Sequence, residues 1–428
     1  MGTPTEVTAP PVPDQPSAVL RDRGDAEGYV ALVCFKHGPP RLLGVELEWT
    51  VHHRSDPRRP LDATLLSRAL GAHAPQTLNP RRDLTGRTDL TDQRPLPAGS
   101  LITVEPGGQV EISTPPTSSA ADLVTVARAD AASLADLLER CGLVLGHHGT
   151  DSYRPPRRLL QVPRYEAMQS AFDLIGPEGS RMMCSTASMQ VCLDAGEPGQ
   201  SASRWQAAHA LGPVLVALFA NSPSLDGRRT GWASSRLRAT LGTCPPFTLP
   251  PEPCEDPAAQ WAAMAMEAPV ICIRRDGPSW VAPRGMSFAA WIADPGRVGR
   301  RPTRDDLEYH LSTLFPPVRP KGYLEIRYLD SQPGSRWVTP FALLAALMAR
   351  PSTTDQVLDL TQSTARRWVE AARDGLDDPA LAATAGKVVQ LGAGVLGHLD
   401  LSETQRRQVL DDLAMCLATI PPGRRRLA

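Results

Sequence analysis

Apolar and polar residues alternate with a period of two near 28–36, 42–51, 101–105, 109–114, 186–194, 270–275 and 322–329, and this spacing predicts strands. Apolar residues recur at three- and four-residue spacing over 119–141, 203–220, 305–315, 339–350, 354–375 and 379–416, which predicts helices. Ser402 and Gln405 have the spacing of a capping box at the start of the last helix. Strands do not alternate one for one with helices, and the C-terminal third reads as helix throughout. That order predicts an α+β fold with a mostly antiparallel sheet rather than a doubly wound one.

The 43 prolines fall in clusters, at 1–16, 154–163, 245–257 and 278–302. No segment between the clusters carries a complete core pattern of its own, so they read as loops rather than linkers. The expected organisation is a disordered Pro-rich tail over 1–25 and one catalytic unit over 26–428. Within that unit the sheet and site span 28–330, and a helical region spans 339–420. The first residues, MGTPTEVTAPPVPDQPS, have neither the basic nor the apolar region of a secretion signal. The longest nearly unbroken apolar run, Val214 to Ala220, is far short of the roughly 20 residues that cross a bilayer. A cytoplasmic protein that does not enter membranes is expected.

Charge and composition remove several function classes. With 45 basic and 46 acidic residues and 5% aromatics, the chain lacks the basic excess of a nucleic-acid or membrane-coating protein. Lysine occurs three times (Lys36, Lys321, Lys387), leaving 42 of the basic residues as arginine. Neither Lys321 nor Lys387 stands in a G-x-x-x-x-G-K-[ST] loop, and no V-A-I-K strand exists, so phosphate handling must rest on arginine, metal and backbone. Gly392-Ala-Gly394-Val-Leu-Gly397 matches a dinucleotide motif, but no strand follows it. Small residues at a helix contact are the expectation there. The eight cysteines form no C-x-x-C pair, no H-E-x-x-H or G-x-S-x-G motif occurs, and adjacent histidines at 52–53 and 147–148 point to opposite strand faces. Zinc hydrolases and α/β-hydrolases are therefore poor readings, and Cys184, Cys192 and Cys244 read as neutral packing residues.

The informative pattern is in the strands. Glu46 and Glu48 project from one face of a strand, opposite Val45, Leu47 and Trp49. After the Pro-Gly-Gly turn at 106–108, Gln109 and Glu111 share a face. Glu325 and Arg327 share a face of a third strand, and Gln190 lies on a fourth with the same alternation. A solvated sheet face explains any one of these strands alone. Together they present carboxylates with no lysine to balance them. As neighbours they would stand about 5 Å apart, an arrangement that needs cations. Magnesium suits such oxygen ligands and bridges to phosphate, so a metal–nucleotide floor is the reading.

Six blocks occur in order: GVELEWTV, VEPGGQVEISTPP, PRYEAMQSAF, MMCSTASMQVCLDAG, ANSPSLDGRRTGWASSR and DLEYHLSTLFPPVRPKGYLEIRYLD. Over about 41–330 they resemble the glutamate–cysteine ligases of the plant and bacterial type, most closely the actinobacterial branch that serves ergothioneine synthesis. The resemblance implies a glutamine-synthetase-like fold, a curved antiparallel sheet forming a funnel with helices on its back. It implies ATP as co-substrate, more than one Mg²⁺ ion, and glutamate and cysteine as the other small-molecule partners. No protein or nucleic-acid partner is implied, and the state is a monomer or a weak homo-oligomer. Matched position by position, Glu46, Glu48, Glu111 and Glu325 fall on metal-binding acids, with Glu105 at the cluster's edge. Arg327 falls on an arginine that meets the transferred phosphate, Arg236 on one near glutamate and phosphates, and Gln190 on a polar positioning residue. Arg236 and Arg327 are thus the implied catalytic residues. The family's usual Arg-Thr is Ser185-Thr186 here, and LRATLGTCPP replaces a D-P-x-R-T stretch. These departures leave open a ligase of the same fold that joins glutamate to a different amine.

Overall fold

Six antiparallel strands in the order β3–β4–β1–β6–β10–β9 form the sheet that carries the acids. They are β1 (Leu43–Trp49), β3 (Leu101–Val104), β4 (Val110–Ser113), β6 (Ser188–Leu193), β9 (Val318–Pro320) and β10 (Leu324–Asp330). Two small pairs stand outside it, β2 (Val51–His53) with β5 (Leu143–Leu145) and β7 (Ser224–Leu225) with β8 (Arg228–Arg229). The computed structural model describes residues 18–78 and 93–419.

The odd-numbered residues of β1, Val45, Leu47 and Trp49, are buried with Val191, Ile112 and Ile326 in one hydrophobic cluster. Helix Ala120–Glu139 covers β1 and β4 on that side, and helix Gly212–Phe219 covers β10. The cluster runs continuously from Leu20 to Leu413, so the C-terminal helices share the sheet's core. Of the strands expected from alternation, five form as anticipated.

Two do not. Residues 28–36 lie mostly in helix Arg23–Cys34, which Asp22 caps and which buries Ala26, Val30 and Cys34. Those positions are four apart, a helical stripe that the neighbouring Tyr29, Leu32 and Val33 disguise as alternation. Residues 270–275 make only isolated bridges, Pro269 to Ser287 and Cys272 to Val281. Within the tail expected over 1–25, the described residues from 18 onward are part of the fold. Val19 bridges Thr303, Leu20 is buried, and the first helix begins at Arg23, because the core beside residues 300–303 accepts an apolar side chain there. Residues 1–17, and the end of the expected unit at 420–428, lie outside the described residues.

The predicted helices form but are divided. The 203–220 stretch breaks between Ala210 and Gly212, the 354–375 stretch between Thr361 and Trp368, and the last between Val395 and Glu403. Gln405 N–H donates to Ser402 Oγ at 3.2 Å and Ser402 N–H to Gln405 Oε1 at 2.9 Å, completing the capping box. Gly392 sits inside helix Pro379–Val395, where an added Cβ would lie 2.1 Å from Leu343 Cδ1. The glycine motif is therefore a close helix contact and not a nucleotide loop. Among the described residues, one helical stretch, Pro379–His398, is long and apolar enough to cross a bilayer by length and composition. Its residues Leu381, Ala385, Val388 and Val389 are buried in the protein's own core.

Candidate functional site

The register of the sheet assembles the site. Glu48 on β1 lies directly opposite Glu111 on β4, and Glu46 lies opposite Gln190 on β6. The tight turn between β3 and β4 then brings Glu105 to the same face. Oxygens of Glu48, Glu105 and Glu111 all come within 4.8 Å of one another. That turn is clamped from outside the sheet. Pro106 C=O accepts from the N–H groups of Leu159 (2.7 Å) and Leu160 (3.1 Å). Gly107 has no room for a side chain, since a Cβ would lie 2.2 Å from Cys184 C=O. Gly108 has φ +90°, with Leu159 and Leu61 where a Cβ would be.

Neighbouring groups hold the acids in place. Glu111 accepts from Thr103 Oγ1 at 2.7 Å and from Gln190 Nε2 at 3.1 Å. Glu48 accepts from Ser188 N–H at 2.5 Å and from its hydroxyl at 2.8 Å. Burial and then the charges of Glu46, Glu48 and Glu105 push Glu111 well above the usual carboxylate range. Burial and Glu48 raise Glu105 to about 7, and burial with Glu325 raises Glu46. Three oxygen ligands under mutual repulsion fit a hard divalent cation.

Glu325 is in a different setting. Its side chain is 0% exposed and meets Arg319 Nε at 2.7 Å, Lys321 Nζ at 2.9 Å and Arg327 Nη1 at 2.6 Å. Burial alone would raise it, but Arg319, Arg327 and Lys321 hold it well below the usual range. The expected metal ligand is thus engaged with three cations, apart from the Glu48–Glu105–Glu111 group. Arg327 also donates to Gln190 Oε1, which ties the cation row to the acidic floor. Burial would lower Arg327, but Glu325 and Glu46 hold it above its ordinary value.

Arg236 comes from helix Ser235–Thr243, with Asp330 behind it receiving Ser222 Oγ at 2.7 Å and Ser234 Oγ at 2.8 Å. Its Nη2 donates to Arg327 C=O, while Nη1, in a side chain 5% exposed, has no protein partner and borders the cavity. Burial lowers Arg236 against the pull of Asp330. The cavity enclosed by these groups measures about 380 Å³. Its far wall is apolar, made by Tyr165, Met168, Met182, Met183 and Phe315 beside Arg164.

All eight sequence-derived residues, Glu46, Glu48, Glu105, Glu111, Gln190, Arg236, Glu325 and Arg327, are close to this cavity, and seven line it; Glu325 lies beneath its cation row. Sequence reading missed Arg319 and Lys321. Their two-residue spacing put both on one face of β9 and its exit, but the surrounding prolines read as loop. Of the Pro-rich loops, 245–257 contributes Thr248 to the cavity lining and 278–302 contributes no lining residue. Burial raises Cys184 to about 12, and Cys192 and Cys244 above the ordinary thiol range, so all three are neutral thiols.

The raised acids make the metal-free protein pH-sensitive. A carboxyl whose folded pKa is about 7 against an ordinary 4.5 binds its proton more tightly when folded. Its stabilising contribution is full below about 4.5 and is lost as pH rises through about 7. Urea unfolding in chelator should show the midpoint falling across that window. Glu105→Gln should flatten the fall, and an unchanged slope in that variant would count against the assignment.

The profile of Glutamate-cysteine ligase family 2 (GCS2) matches residues 42–417. The chain is 44% identical over 345 residues to the glutamate–cysteine ligase EgtA of Mycolicibacterium smegmatis, covering 76% of this chain and 80% of that relative. It is 36% identical over 389 residues to the EgtA of Mycobacterium tuberculosis H37Rv, covering 87% and 84%. A crystal structure of a glutamate–cysteine ligase from Francisella tularensis in complex with AMP superposes with a TM-score of 0.52 at 11% identity, over 90% of this chain and 83% of that one. That likeness extends to the fold.

Proposed function

The chain belongs to glutamate–cysteine ligase family 2, and from that premise we propose that it joins the γ-carboxylate of glutamate to the amine of cysteine with cleavage of ATP. One observation carries this reading. A single cavity has a floor of clustered carboxylates and, beside it, a row of cations made by Arg319, Lys321 and Arg327, with Arg236 above. Two anionic reactants, a nucleotide and a carboxylate, meet there only if both signs of charge are supplied.

Glu48, Glu105 and Glu111 would hold Mg²⁺, with Glu46 beside them, and the bound ion would neutralise phosphate oxygens and align them for in-line transfer. Arg327, held by Glu325 and Gln190, would neutralise the charge of the transferred phosphoryl group. Arg236 Nη1 has a free donor for the glutamate or the phosphates. The γ-carboxylate attacks the terminal phosphorus of ATP and ADP leaves. The amine of cysteine then attacks the γ-glutamyl phosphate carbonyl and phosphate leaves, with the amine proton passing to solvent or phosphate. No enzyme nucleophile is required, in keeping with the neutral thiols around the site.

The likeness to the two mycobacterial EgtA ligases supports γ-glutamylcysteine as the product, and its use for ergothioneine and its synthesis in the cytoplasm are part of the same proposal. The hydrophobic cluster that runs from Leu20 to Leu413 supports 26–428 as one catalytic unit, and a monomer or weak homo-oligomer is part of the same proposal. The test is ADP formation by purified protein with Mg²⁺, ATP and glutamate, across a panel of amines. Cysteine should accelerate turnover at least about tenfold over serine or glycine. Equal rates with another amine would move the assignment to that acceptor, and ADP formation indifferent to glutamate would overturn it.

A further inference from the structure

A separate cavity, of about 320 Å³, lies at the end of the sheet where Leu43 on β1 pairs with Leu193 on β6. Among the described residues it shares no lining residue with the acidic cavity. The strand ends wall one side, and the end of helix Val338–Leu347 with residues 398–400 walls the other. Leu42, Leu43, Leu193, Met348 and Leu399 give it an apolar lining.

Arg204, from helix Ser201–Ala210, borders this cavity and is 5% exposed. Its Nη1 donates to Met348 C=O and its Nη2 to Asp194 C=O at 2.9 Å, while Nε has no protein partner among the described residues. Both acceptors are carbonyls, so the guanidinium is held in place without a hydrogen-bonded carboxylate. Gly196, at φ +93°, pins its stem, since a Cβ there would lie 2.6 Å from Arg204 Cδ. Burial draws Arg204 down to about 10 against the attraction of Asp194, which leaves it charged at neutral pH. Two carboxylates share the cavity with it. Asp194 Oδ2 accepts the N–H groups of Arg41 (2.8 Å) and Leu42 (2.7 Å), and Asp400 Oδ1 accepts that of Ala120 (2.7 Å). Burial would raise Asp400, but hydrogen bonds from Ser119 and Ala120 hold it below its ordinary value.

The charge pattern selects the occupant. A simple anion would meet Asp194 and Asp400, and a simple cation would meet Arg204 and Arg41. A ligand that carries both charges and an aliphatic tail satisfies the two acids, the buried cation and the leucine-rich lining together. We propose that this cavity binds a free amino acid with an aliphatic side chain, its carboxylate on Arg204 and its ammonium on the Asp194 side, as a ligand that takes no part in ligation. The proposal does not depend on the reaction assigned to the acidic cavity.

Titration calorimetry of the full-length protein with L-leucine tests this. Leucine should bind, and saturating γ-glutamylcysteine, which fills both amino-acid subsites of the proposed reaction, should change its affinity by less than about twofold. 4-Methylpentanoate lacks the ammonium and 3-methylbutylamine lacks the carboxylate, and each should bind at least about tenfold more weakly than leucine. Arg204→Gln should weaken leucine at least about tenfold. Ala349→Phe, at the half-buried rim, fills the space while leaving Arg204 in place, and it should weaken leucine as much with an unchanged thermal midpoint. That variant keeps the test open should Arg204→Gln fail to fold. No binding up to about 10 mM leucine, displacement by γ-glutamylcysteine, or binding that survives Ala349→Phe overturns the proposal. Binding of 4-methylpentanoate as tight as that of leucine would also overturn it, since the cavity would then be a site for anions.

Discussion

Glu111→Gln is expected to cut ATP-dependent ligation by about a thousandfold, roughly 4 kcal/mol of transition-state stabilisation, while making the metal-free protein harder to unfold at pH 8. Both effects follow from Glu111's position opposite Glu48, with Glu105 close by. In the reaction its charge is one of the few available to hold a divalent ion against a triphosphate. Without metal that same charge is buried among like charges, and its pKa is well above the ordinary range. Glutamine keeps the shape and the acceptor facing Thr103, and gives up one acceptor facing Gln190, a loss of about 1 kcal/mol. Relief of repulsion exceeds that loss above the ordinary carboxylate pKa. Urea unfolding in chelator and ADP release under saturating Mg-ATP read the two effects. Activity within about tenfold of wild type would remove Glu111 from the metal role, and a lower unfolding midpoint at pH 8 would refute the repulsion argument.

The same chemical change at Glu325 should act in the opposite direction on stability. Glu325→Gln leaves Arg319, Lys321 and Arg327 without their shared anion at a position that is 0% exposed, and a loss of about 3–5 kcal/mol is expected. Activity should fall as well, because Arg327 loses the partner that aims it, and the defect should appear in kcat more than in KM for ATP. High salt should recover little of the stability, since a pair buried this fully is weakly screened. A variant as stable as wild type would mean that the three cations find other partners and that Glu325 is free to serve as a ligand. Two glutamates on one sheet face therefore differ in kind, one unstable until a cation arrives and the other already neutralised by the chain.

That difference was hidden in the linear sequence. The alternation in β1, β4 and β10 made Glu46, Glu48, Glu111, Glu325 and Arg327 legible as one set, because a period of two needs no knowledge of partners. Whether Glu325 meets a metal or a guanidinium depends on which strand flanks β10 on the side away from β6, and that strand is β9. Pro320 within β9 is tolerated because the strand is at the sheet edge, yet in the sequence the run PPVRPK suggests a loop. The resemblance to a ligase family supplied the fold and the acid roles but could not supply this pairing. The helix at Arg23–Cys34 was misread for a related reason, since an apolar run such as YVALVCF satisfies both periodicities. The scarcity of lysine first appeared only to exclude phosphate loops, yet Lys321, one of three, stands in the site's cation row.

In the proposed site, the clamp on the turn at 106–108 would separate the control of metal affinity from the acids that hold the ion. Glu105 and Glu111 flank that turn, so their spacing is set by whatever presses on Pro106, Gly107 and Gly108, namely Leu61, Leu159, Leu160 and the backbone at Cys184. None of these lies on a strand of the main sheet, and none carries a charge. Drift among apolar residues at 61, 159 and 160 can shift a carboxylate by tenths of an ångström and change the preference between a small, strictly octahedral ion and a larger, more forgiving one. In the proposed site the choice of ion would then rest on uncharged packing around the turn as much as on the acids themselves.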